Sequence, residues 1–302
     1  MNKFLFLIST FLLLIQCDNN EALINTSSLQ LQSGADSFIY NQYQPFSNKP
    51  IEVFYYIPEG ADNSLPILIS LHGANRNGND HRDSFITKAN QLKFIVMVPQ
   101  FGEDYFPGGD AYNLANIFID GDNPSSSTLN PEDQWTFSVI DPLFNYIRGV
   151  TSNTSNQYNL IGFSAGGQLA HRTFLFSNSI YCNKTIAMSS GWYTTINENI
   201  DFPYGINESP LLASSIPSLL AKELTILVGE NDNDPNAPLL RRNSIVDQQG
   251  TNRLDRAEHF FSTANTIAIN EGHTFNWNKF IIPNAAHDLS PIASFAVDLL
   301  YL

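Results

Sequence analysis

Residues 158–170 read YNLIGFSAGGQLA, and this stretch decides the fold. An apolar run typical of a buried strand, Tyr158–Phe163, leads directly into a stretch with the composition of a helix. Between the two, Gly162-Phe163-Ser164-Ala165-Gly166 fits the pattern G-x-S-x-G. A strand-to-helix turn this tight needs small neighbours around the serine and exposes its hydroxyl at the carboxyl end of the sheet. The stretch predicts a nucleophilic Ser164; the alternative is a glycine-rich turn that serves only close packing.

The chain around this turn alternates short apolar runs with amphipathic stretches, which is typical of parallel strands joined by crossover helices. The pattern predicts an α/β fold with a mostly parallel sheet of about eight strands flanked by helices. The predicted strands are 51–57, 67–71, 94–99, 158–163, 184–189, 224–229 and 279–283, with an extended stretch near 37–43 pairing antiparallel at the edge. The predicted helices are 81–92, 131–150, 165–181, 253–269 and 290–300. Stretches 102–130 and 190–222 are predicted to be functional loops.

A serine nucleophile needs a base to take its proton, and histidine is the usual one. Of the six histidines, His287 stands in Pro283-Asn284-Ala285-Ala286-His287-Asp288, between the last predicted strand and the last helix. This position predicts that His287 lies at the same edge of the sheet as Ser164. The histidines in or beside predicted helices are interpreted as solvated or packing residues.

The base needs a carboxylate, and three acids follow the predicted strand 224–229. They are Glu230, Asp232 and Asp234. Asp232 lies far enough into the turn to point back at an imidazole, so we predict Asp232 as the acid, with Asp234 as the alternative. A cation-binding or merely solvated turn is the other interpretation of this acidic cluster.

The strand 67–71 ends in His72-Gly73-Ala74-Asn75, where a second donor to an oxyanion is expected. We predict the backbone N–H groups of Ala74 and Ala165 as the two donors. His72 precedes Ser164 in the chain, so it is interpreted as a residue that braces this loop.

With four motifs in this order, the chain resembles an α/β-hydrolase from about residue 50 to 302. The order Ser164, Asp232, His287 is the order of nucleophile, acid and base in that superfamily. Within it, the His72-Gly73 entry, the elbow at Ser164 and the ending at His287 resemble the secreted esterases grouped with polyhydroxybutyrate depolymerases and feruloyl esterases. The resemblance implies an α/β-hydrolase fold without a large cap domain. It also implies cleavage of a small-molecule or polymeric ester without a cofactor.

Side chains near the predicted site suggest how a substrate is held. Trp192 and Tyr193 follow a strand end, and Trp135 flanks the first long loop, so these three are predicted to form an apolar platform for the substrate. The alternative is that they are core or loop-anchoring aromatics. Four arginines follow the acidic turn and either pair with nearby acids or meet an anionic group of the substrate; they are Arg241, Arg242, Arg253 and Arg256.

The first residues predict a targeting segment. Lys3 precedes an apolar run over 4–15 that is too short to span a bilayer but has the length of a signal-peptide core. We interpret 1–16 as a signal peptide, 17–37 as a polar tether and 38–302 as one catalytic domain. Leu14-Ile15-Gln16-Cys17 resembles the lipobox of bacterial lipoproteins, which implies lipid on Cys17 and a location in the cell envelope. Because Gln16 stands where that pattern prefers a small residue, plain secretion is the alternative.

Composition restricts the classes of protein. The 302 residues are 43% hydrophobic, which is enough apolar material for one large domain. The net charge of −14 repels the phosphate backbone, so nucleic acid is not an expected partner. Two cysteines are too few for a four-cysteine zinc site, and no metal is implied. The predicted function is a serine esterase with a Ser-Asp-His triad and an acyl-enzyme intermediate; the alternatives are a peptidase on the same fold and a catalytically silent binding lipoprotein.

Overall fold

The structure is a computed structural model that describes residues 31–211 and 213–302. The predicted signal peptide and Cys17 lie outside the described residues. Within the described chain the strands are β1 Gly34–Tyr40, β2 Ile51–Ile57, β3 Ile67–Leu71, β4 Ile95–Gln100, β5 Tyr158–Phe163, β6 Cys182–Met188, β7 Leu224–Gly229 and β8 Asn278–Ile282. The helices are α1 Gly78–Asp83, α2 Ile86–Leu92, α3 Ile140–Thr151, α4 Ala165–Phe176, α5 Ile216–Ala221, α6 Arg253–Glu271 and α7 Leu289–Tyr301.

The described strands form one eight-stranded sheet in the order β1-β2-β4-β3-β5-β6-β7-β8. Strand β2 runs antiparallel to β1 and to β4, and every other neighbouring pair is parallel. The prediction of a mostly parallel α/β sheet of about eight strands is confirmed. Since β3 and β5 are neighbours, the residues that follow them meet at one edge of the sheet.

The central strands of the sheet are buried on both faces. In β3, Ile67 and Ile69 pack into a cluster with α3 and α4, whereas Leu68 between them packs into a second cluster with α2 and α7. Successive side chains of a strand point to opposite faces, so a strand covered on both sides is apolar throughout. A third cluster joins α5 and α6 to β7. This packing holds the strand ends rigidly beneath the site.

Three predicted helices differ from the observed ones. The stretch 81–92 forms two short helices, because α1 ends at Asp83 and α2 begins only at Ile86. The stretch 131–150 begins with 3₁₀ turns, since Trp135 has an extended backbone, and α3 starts at Ile140. Helix α4 ends at Phe176 because Ser177 is extended, with ψ of 141°.

Two other boundaries also differ. The predicted tether, 17–37, overlaps β1, whose pairing with β2 begins at Gly34 opposite Ile57. The predicted loop 190–222 contains the short helix α5, which begins with Pro217 in its first turn. Proline has no backbone N–H to lose at the start of a helix, so its presence there is tolerated. No helix in the described part of the chain is both long and apolar enough to cross a membrane.

Candidate active site

The turn between β5 and α4 holds Ser164 in a strained backbone conformation. Ser164 has φ of 56° and ψ of −113°, in a region that residues other than glycine rarely adopt. Its N–H donates to the carbonyl oxygen of Met188, 2.9 Å away, which ties the turn to strand β6. A Cβ at Gly162 would collide with the carbonyl of Gly166, so only glycine fits at that position. The surroundings therefore force the turn and lift Oγ out of the sheet edge.

The structure brings Ser164, His287 and Asp232 into one hydrogen-bonded chain. His287 Nε2 lies 3.0 Å from Ser164 Oγ, and His287 Nδ1 lies 2.8 Å from Asp232 Oδ2. An ionised carboxylate only accepts, so Nδ1 carries the proton and Nε2 is free to accept from the serine hydroxyl. The imidazole also stacks on Phe163, with ring centroids 4.7 Å apart. This arrangement orients the imidazole of His287 toward the half-buried Ser164.

Asp232 and Asp234 occupy different environments on the same turn. Asp232 is 4% exposed, and its backbone is held by bonds to Gly229 and Leu254. Asp234 is exposed, and its carboxylate accepts from the backbone N–H of Asn236 at 2.8 Å. The geometry thus brings Asp232, the acid predicted first, to His287 and leaves Asp234 in the solvated part of the turn.

The predicted oxyanion donors lie beside the nucleophile. Ala165 is the first residue of α4, where N–H groups have no partner within the helix. A Cβ added to Gly73 would lie 3.8 Å from the Cβ of Ser164, so the chain passes next to the serine just before Ala74. Ala74 and Ala165 both line the cavity above Ser164. Their backbone N–H groups thus lie in the part of the chain that surrounds Ser164.

His72 braces the loop that carries Ala74. Its Nε2 accepts from the backbone N–H of Phe101 at 3.0 Å, so Nδ1 carries the proton that faces the carbonyl of Gly73 at 2.9 Å. Tyr112 stacks on the imidazole, and its hydroxyl donates to the His72 carbonyl at 2.6 Å. Complete burial lowers the pKa of His72 to about 4, so the ring is neutral near pH 7. These contacts match the bracing role expected for His72.

A cavity of about 700 Å³ opens over Ser164 and His287. This volume is in the usual range for a small-molecule site. The cavity lining includes Trp192 and Arg241 as well as Asp80 and His81. The cavity therefore places Ser164 and His287 in one concave surface with a cationic and an anionic side chain.

Gln168 is a cavity residue that the sequence reasoning missed. It lies four residues after Ser164 on α4, and its amide oxygen accepts from Asn113 at 3.1 Å. Residues four apart share one face of a helix, so this spacing was the available signal. Asn113 belongs to the first long loop, whose position no sequence pattern indicates.

The predicted aromatic platform is largely wrong. Trp192 lines the cavity, as expected. Tyr193 instead is fully buried and stacks on Phe260, with centroids 4.5 Å apart, because the next residue after Trp192 points to the other face. Trp135 is 4% exposed and donates its indole N–H to the carbonyl of Asn130 at 3.0 Å, so it anchors its own loop. Neither Tyr193 nor Trp135 reaches the cavity.

The four arginines after the acidic turn all pair with acids. Arg242 and Arg256 both contact Asp247, at 2.8 and 3.2 Å, and Arg241 contacts Asp122. Arg253 contacts Asp232. Arg241 also forms part of the cavity wall, with its guanidinium 5.2 Å from the Trp192 ring centre. Among the described residues, no group of three or more His, Cys, Asp or Glu side chains is arranged to hold a metal ion.

Known structures resemble this chain closely. Poly(aspartic acid) hydrolase-1 from Sphingomonas sp. KT-1 is 32% identical, with a TM-score of 0.84 over 90% of this chain and 100% of that chain. LpqC, a poly(3-hydroxybutyrate) depolymerase from Bordetella parapertussis, is 27% identical, with a TM-score of 0.83 over 89% of this chain and 90% of that chain.

A more distant likeness extends to FphF, a fluorophosphonate-binding serine hydrolase of Staphylococcus aureus. It is 13% identical, with a TM-score of 0.58 over 89% of this chain and 100% of that chain, so it shows the fold alone. No protein-family model and no curated protein sequence gave a significant match. Because the Sphingomonas relative is 32% identical and is matched over 90% of this chain, the chain belongs to the α/β-hydrolases, in a group that includes esterases.

Proposed function

We propose that this hydrolase cleaves carboxylic esters through an acyl-enzyme intermediate formed on Ser164. The observation that carries the proposal is the chain of hydrogen bonds from Asp232 through His287 to Ser164, at 2.8 and 3.0 Å. The likeness to a poly(3-hydroxybutyrate) depolymerase supports an ester as the substrate. A small-molecule or polymeric ester would enter the cavity above Ser164.

In the first half of the proposed reaction, Ser164 Oγ attacks the ester carbonyl while His287 Nε2 takes its proton. Asp232 orients the imidazole and stabilises the imidazolium. The N–H groups of Ala74 and Ala165 donate to the oxyanion. When the tetrahedral intermediate collapses, His287 returns the proton to the leaving alcohol, and the acyl group remains on Ser164.

In the second half, a water molecule attacks the acyl carbonyl while His287 takes a proton from it. Collapse of the second tetrahedral intermediate releases the carboxylic acid and returns the proton to Ser164. The strained backbone of Ser164 and the loop braced by His72 support this scheme, since both hold reacting groups in place before substrate binds.

A fluorophosphonate probe tests the proposal without a known substrate, because it reacts only with an activated serine. We expect one adduct, located on Ser164 by mass spectrometry, together with hydrolysis of members of a panel of short acyl, feruloyl and polyester substrates. Ser164→Ala should lose both activities and keep its fold. Ser262→Ala, at an exposed position of α6, is the matched control. A well-folded wild-type protein that does not label would favour the silent binding protein.

A second candidate is cleavage of amide bonds in an acidic polymer or peptide. Two observations favour it: the 32% identity to a poly(aspartic acid) hydrolase, and Arg241 in the cavity wall of a chain with net charge −14. A guanidinium has five N–H donors, so Arg241 can bind a carboxylate of the substrate while it also pairs with Asp122. The same triad would serve ester and amide cleavage, so fluorophosphonate labelling does not distinguish the two reactions. A comparison of the rates on ester and amide substrates does.

We also propose that the chain is exported and anchored to a bacterial membrane by lipid on Cys17. The apolar run over 4–15 supports export, and the sequence before Cys17 supports lipidation. An envelope location suits an enzyme for polymers too large to enter the cell. Nucleic acid is not a proposed partner, because the net charge of −14 opposes it.

A further inference from the structure

Arg253 contacts the carboxylate oxygen of Asp232 that His287 does not contact, and it also forms part of the cavity lining. Its Nη1 is 3.3 Å from Asp232 Oδ1, whereas His287 Nδ1 is 2.8 Å from Oδ2. The two carboxylate oxygens therefore have different partners. The side chains of Arg253 and Asp232 are each only 3% exposed, so water screens this ion pair very little.

We propose that Arg253 is a positioning residue of the triad. Its guanidinium fixes the rotation of the Asp232 carboxylate and offsets part of the negative charge that His287 experiences. The inference rests on the proposed function, since it assigns a role in the same reaction. In the described part of the chain, the Arg253 side chain donates to Asp232 and to the carbonyl of Pro238 and not to Ser164 or His287, so it acts on them through Asp232.

Several contacts hold Arg253 itself in place. It is the first residue of α6, and the preceding Asn252 caps this helix by accepting from the Asp255 N–H at 2.9 Å. Its Nη2 donates to the carbonyl of Pro238 at 3.3 Å. The backbone N–H of Leu254 donates to the carbonyl of Asp232 at 3.1 Å. Main chain and side chain thus join the start of α6 to the acidic turn.

Arg253 differs from the three neighbouring arginines in the acid that it contacts. Arg242 and Arg256 pair with Asp247, and Arg241 pairs with Asp122, so these cations are already matched to acids outside the triad. Arg253 is the arginine of this group that contacts Asp232. Its removal would leave a buried carboxylate balanced by His287 alone, which favours the protonated imidazole.

Other titratable and charged groups lie near His287. Asp232 contacts its imidazole, Asp288 follows it in the chain, and Glu230 accepts from the backbone N–H of Asn284 in the same loop. Asp80, His81 and Arg241 line the cavity together with His287, and the buried Tyr193 interacts electrostatically with Asp232. Since these groups are the same in the wild type and in the single variants of Arg253, a shift in pH dependence between them reports the change at Arg253.

The test is the pH dependence of the rate constant for fluorophosphonate labelling of Ser164. Arg253→Gln should slow labelling about tenfold or more at pH 7. It should also move the acid limb of the pH profile, where the rate constant falls as pH decreases, about one pH unit upward, because protonated His287 cannot act as base. Arg253→Lys keeps the charge without the planar fork, so it should restore the acid limb but only part of the rate. Arg256→Gln removes a buried arginine from the same helix and should leave the acid limb near its wild-type position.

A double variant tests the proposed route through Asp232 even where Arg253→Gln alone does not fold. In Asp232→Asn protein, the further change Arg253→Gln should leave the labelling rate unchanged, because there is no carboxylate left to position. If Arg253→Gln lowered the labelling rate by the same factor in wild-type and in Asp232→Asn protein, the proposal would be overturned. An unmoved acid limb in folded Arg253→Gln protein would also overturn it. Labelling of wild-type protein at Ser164 in either case would leave the proposed function standing, whereas absent labelling would refute that function first.

Discussion

The α-carbon of Gly166 packs directly against the main-chain carbonyl of Leu71, where α4 crosses the end of β3. A Cβ at position 166 would overlap this oxygen and would lie 2.5 Å from the carbonyl oxygen of His72. Backbone atoms at the end of a buried strand cannot give way as a flexible side chain can. The close approach brings the loop that carries Ala74 next to Ser164, so folding and the site depend on the same contact.

Gly166→Ala should therefore destabilise the protein by about 3 kcal/mol or more, which is the range of severe core substitutions. Gly149 offers a matched control, since it is exposed in α3 and a Cβ added there would have nothing within 4 Å. Gly149→Ala should stabilise by about 0.5–1 kcal/mol, because alanine is the better helix former. Urea unfolding of both variants measures the difference. Equal free energies of unfolding for Gly166→Ala and Gly149→Ala would show that stability does not require the close approach of Gly166 to Leu71.

The difference in burial between Asp232 and Asp234 predicts a difference in activity. Asp232→Asn should lower turnover by roughly four orders of magnitude, because an amide selects the wrong tautomer of His287. Asp234→Asn should change turnover about twofold at most, since the exposed Asp234 carboxylate contacts Asn236. Rates of ester hydrolysis and of fluorophosphonate labelling provide the measurement. The reverse ranking would transfer the acid role to Asp234.

The bounds of several strands and the common edge of the site residues could be predicted from the sequence. Strands β2, β3, β5 and β7 have the predicted bounds. Nearly every residue of β3, β5 and β7 is buried, so each of these strands is a largely apolar run in the sequence, whereas β2 alternates buried and half-buried residues. Ser164, Asp232 and His287 come together because each lies in a turn or loop that follows one of the parallel strands of the sheet, so chain order already indicates their common edge.

Other features depend on tertiary contacts that leave no local pattern. Trp192 and Tyr193 are adjacent aromatics, but only packing against Phe260 decides that Tyr193 faces inward. Trp135 is fixed by a bond to Asn130 within its own loop. The pairing of Arg253 with Asp232 joins two elements, and the sequence indicated only that an acid was near.

Arg241 separates the two candidate substrates. If the substrate is an acidic polymer, Arg241→Gln should raise KM about tenfold or more, since a charge-assisted hydrogen bond contributes roughly 1.5–3 kcal/mol. Hydrolysis of a neutral polyester should change little. Arg242→Gln is the matched control, because Arg242 pairs with Asp247 and does not line the cavity. Kinetics on poly(aspartic acid) and poly(3-hydroxybutyrate) make the comparison, and an equal loss on both polymers would contradict a carboxylate-binding role.

The buried His72 predicts acid sensitivity. Burial lowers its pKa to about 4 from an ordinary value of 6.5. Between these values the unfolded chain binds a proton that the folded chain does not, so the free energy of unfolding falls as pH decreases from about 6.5 to about 4. The contribution is on the order of 3 kcal/mol, and it is fully present above pH 6.5 and lost below pH 4.

His72→Gln removes this titration, so the slope of stability against pH between 4 and 6.5 should become shallower. Buried His81 and His171 act in the same direction and remain in the variant, so part of the slope persists. Urea unfolding at several pH values measures it. An identical slope in His72→Gln protein would show that His72 is not neutral in the fold.

The last prediction concerns the location of the protein and depends on one cysteine. If Cys17 is lipidated, its diacylglyceryl group and amide-linked chain give two membrane signals, enough for stable anchoring where a single chain is marginal. A chain of net charge −14 gains no electrostatic attraction to an anionic bilayer. The protein should therefore stay with bacterial membranes in high salt and leave them only in detergent.

Cys17→Ser distinguishes lipid anchoring from plain secretion. In the lipoprotein it should prevent lipidation and yield a retained precursor or a soluble form, whereas a secreted protein should fractionate as before. Fractionation with salt and detergent washes, followed by mass spectrometry of the mature N-terminus, measures both outcomes. Unmodified wild-type protein in the culture medium, with an N-terminus beyond residue 17, would decide for secretion, because a chain without lipid has no apolar anchor at that end.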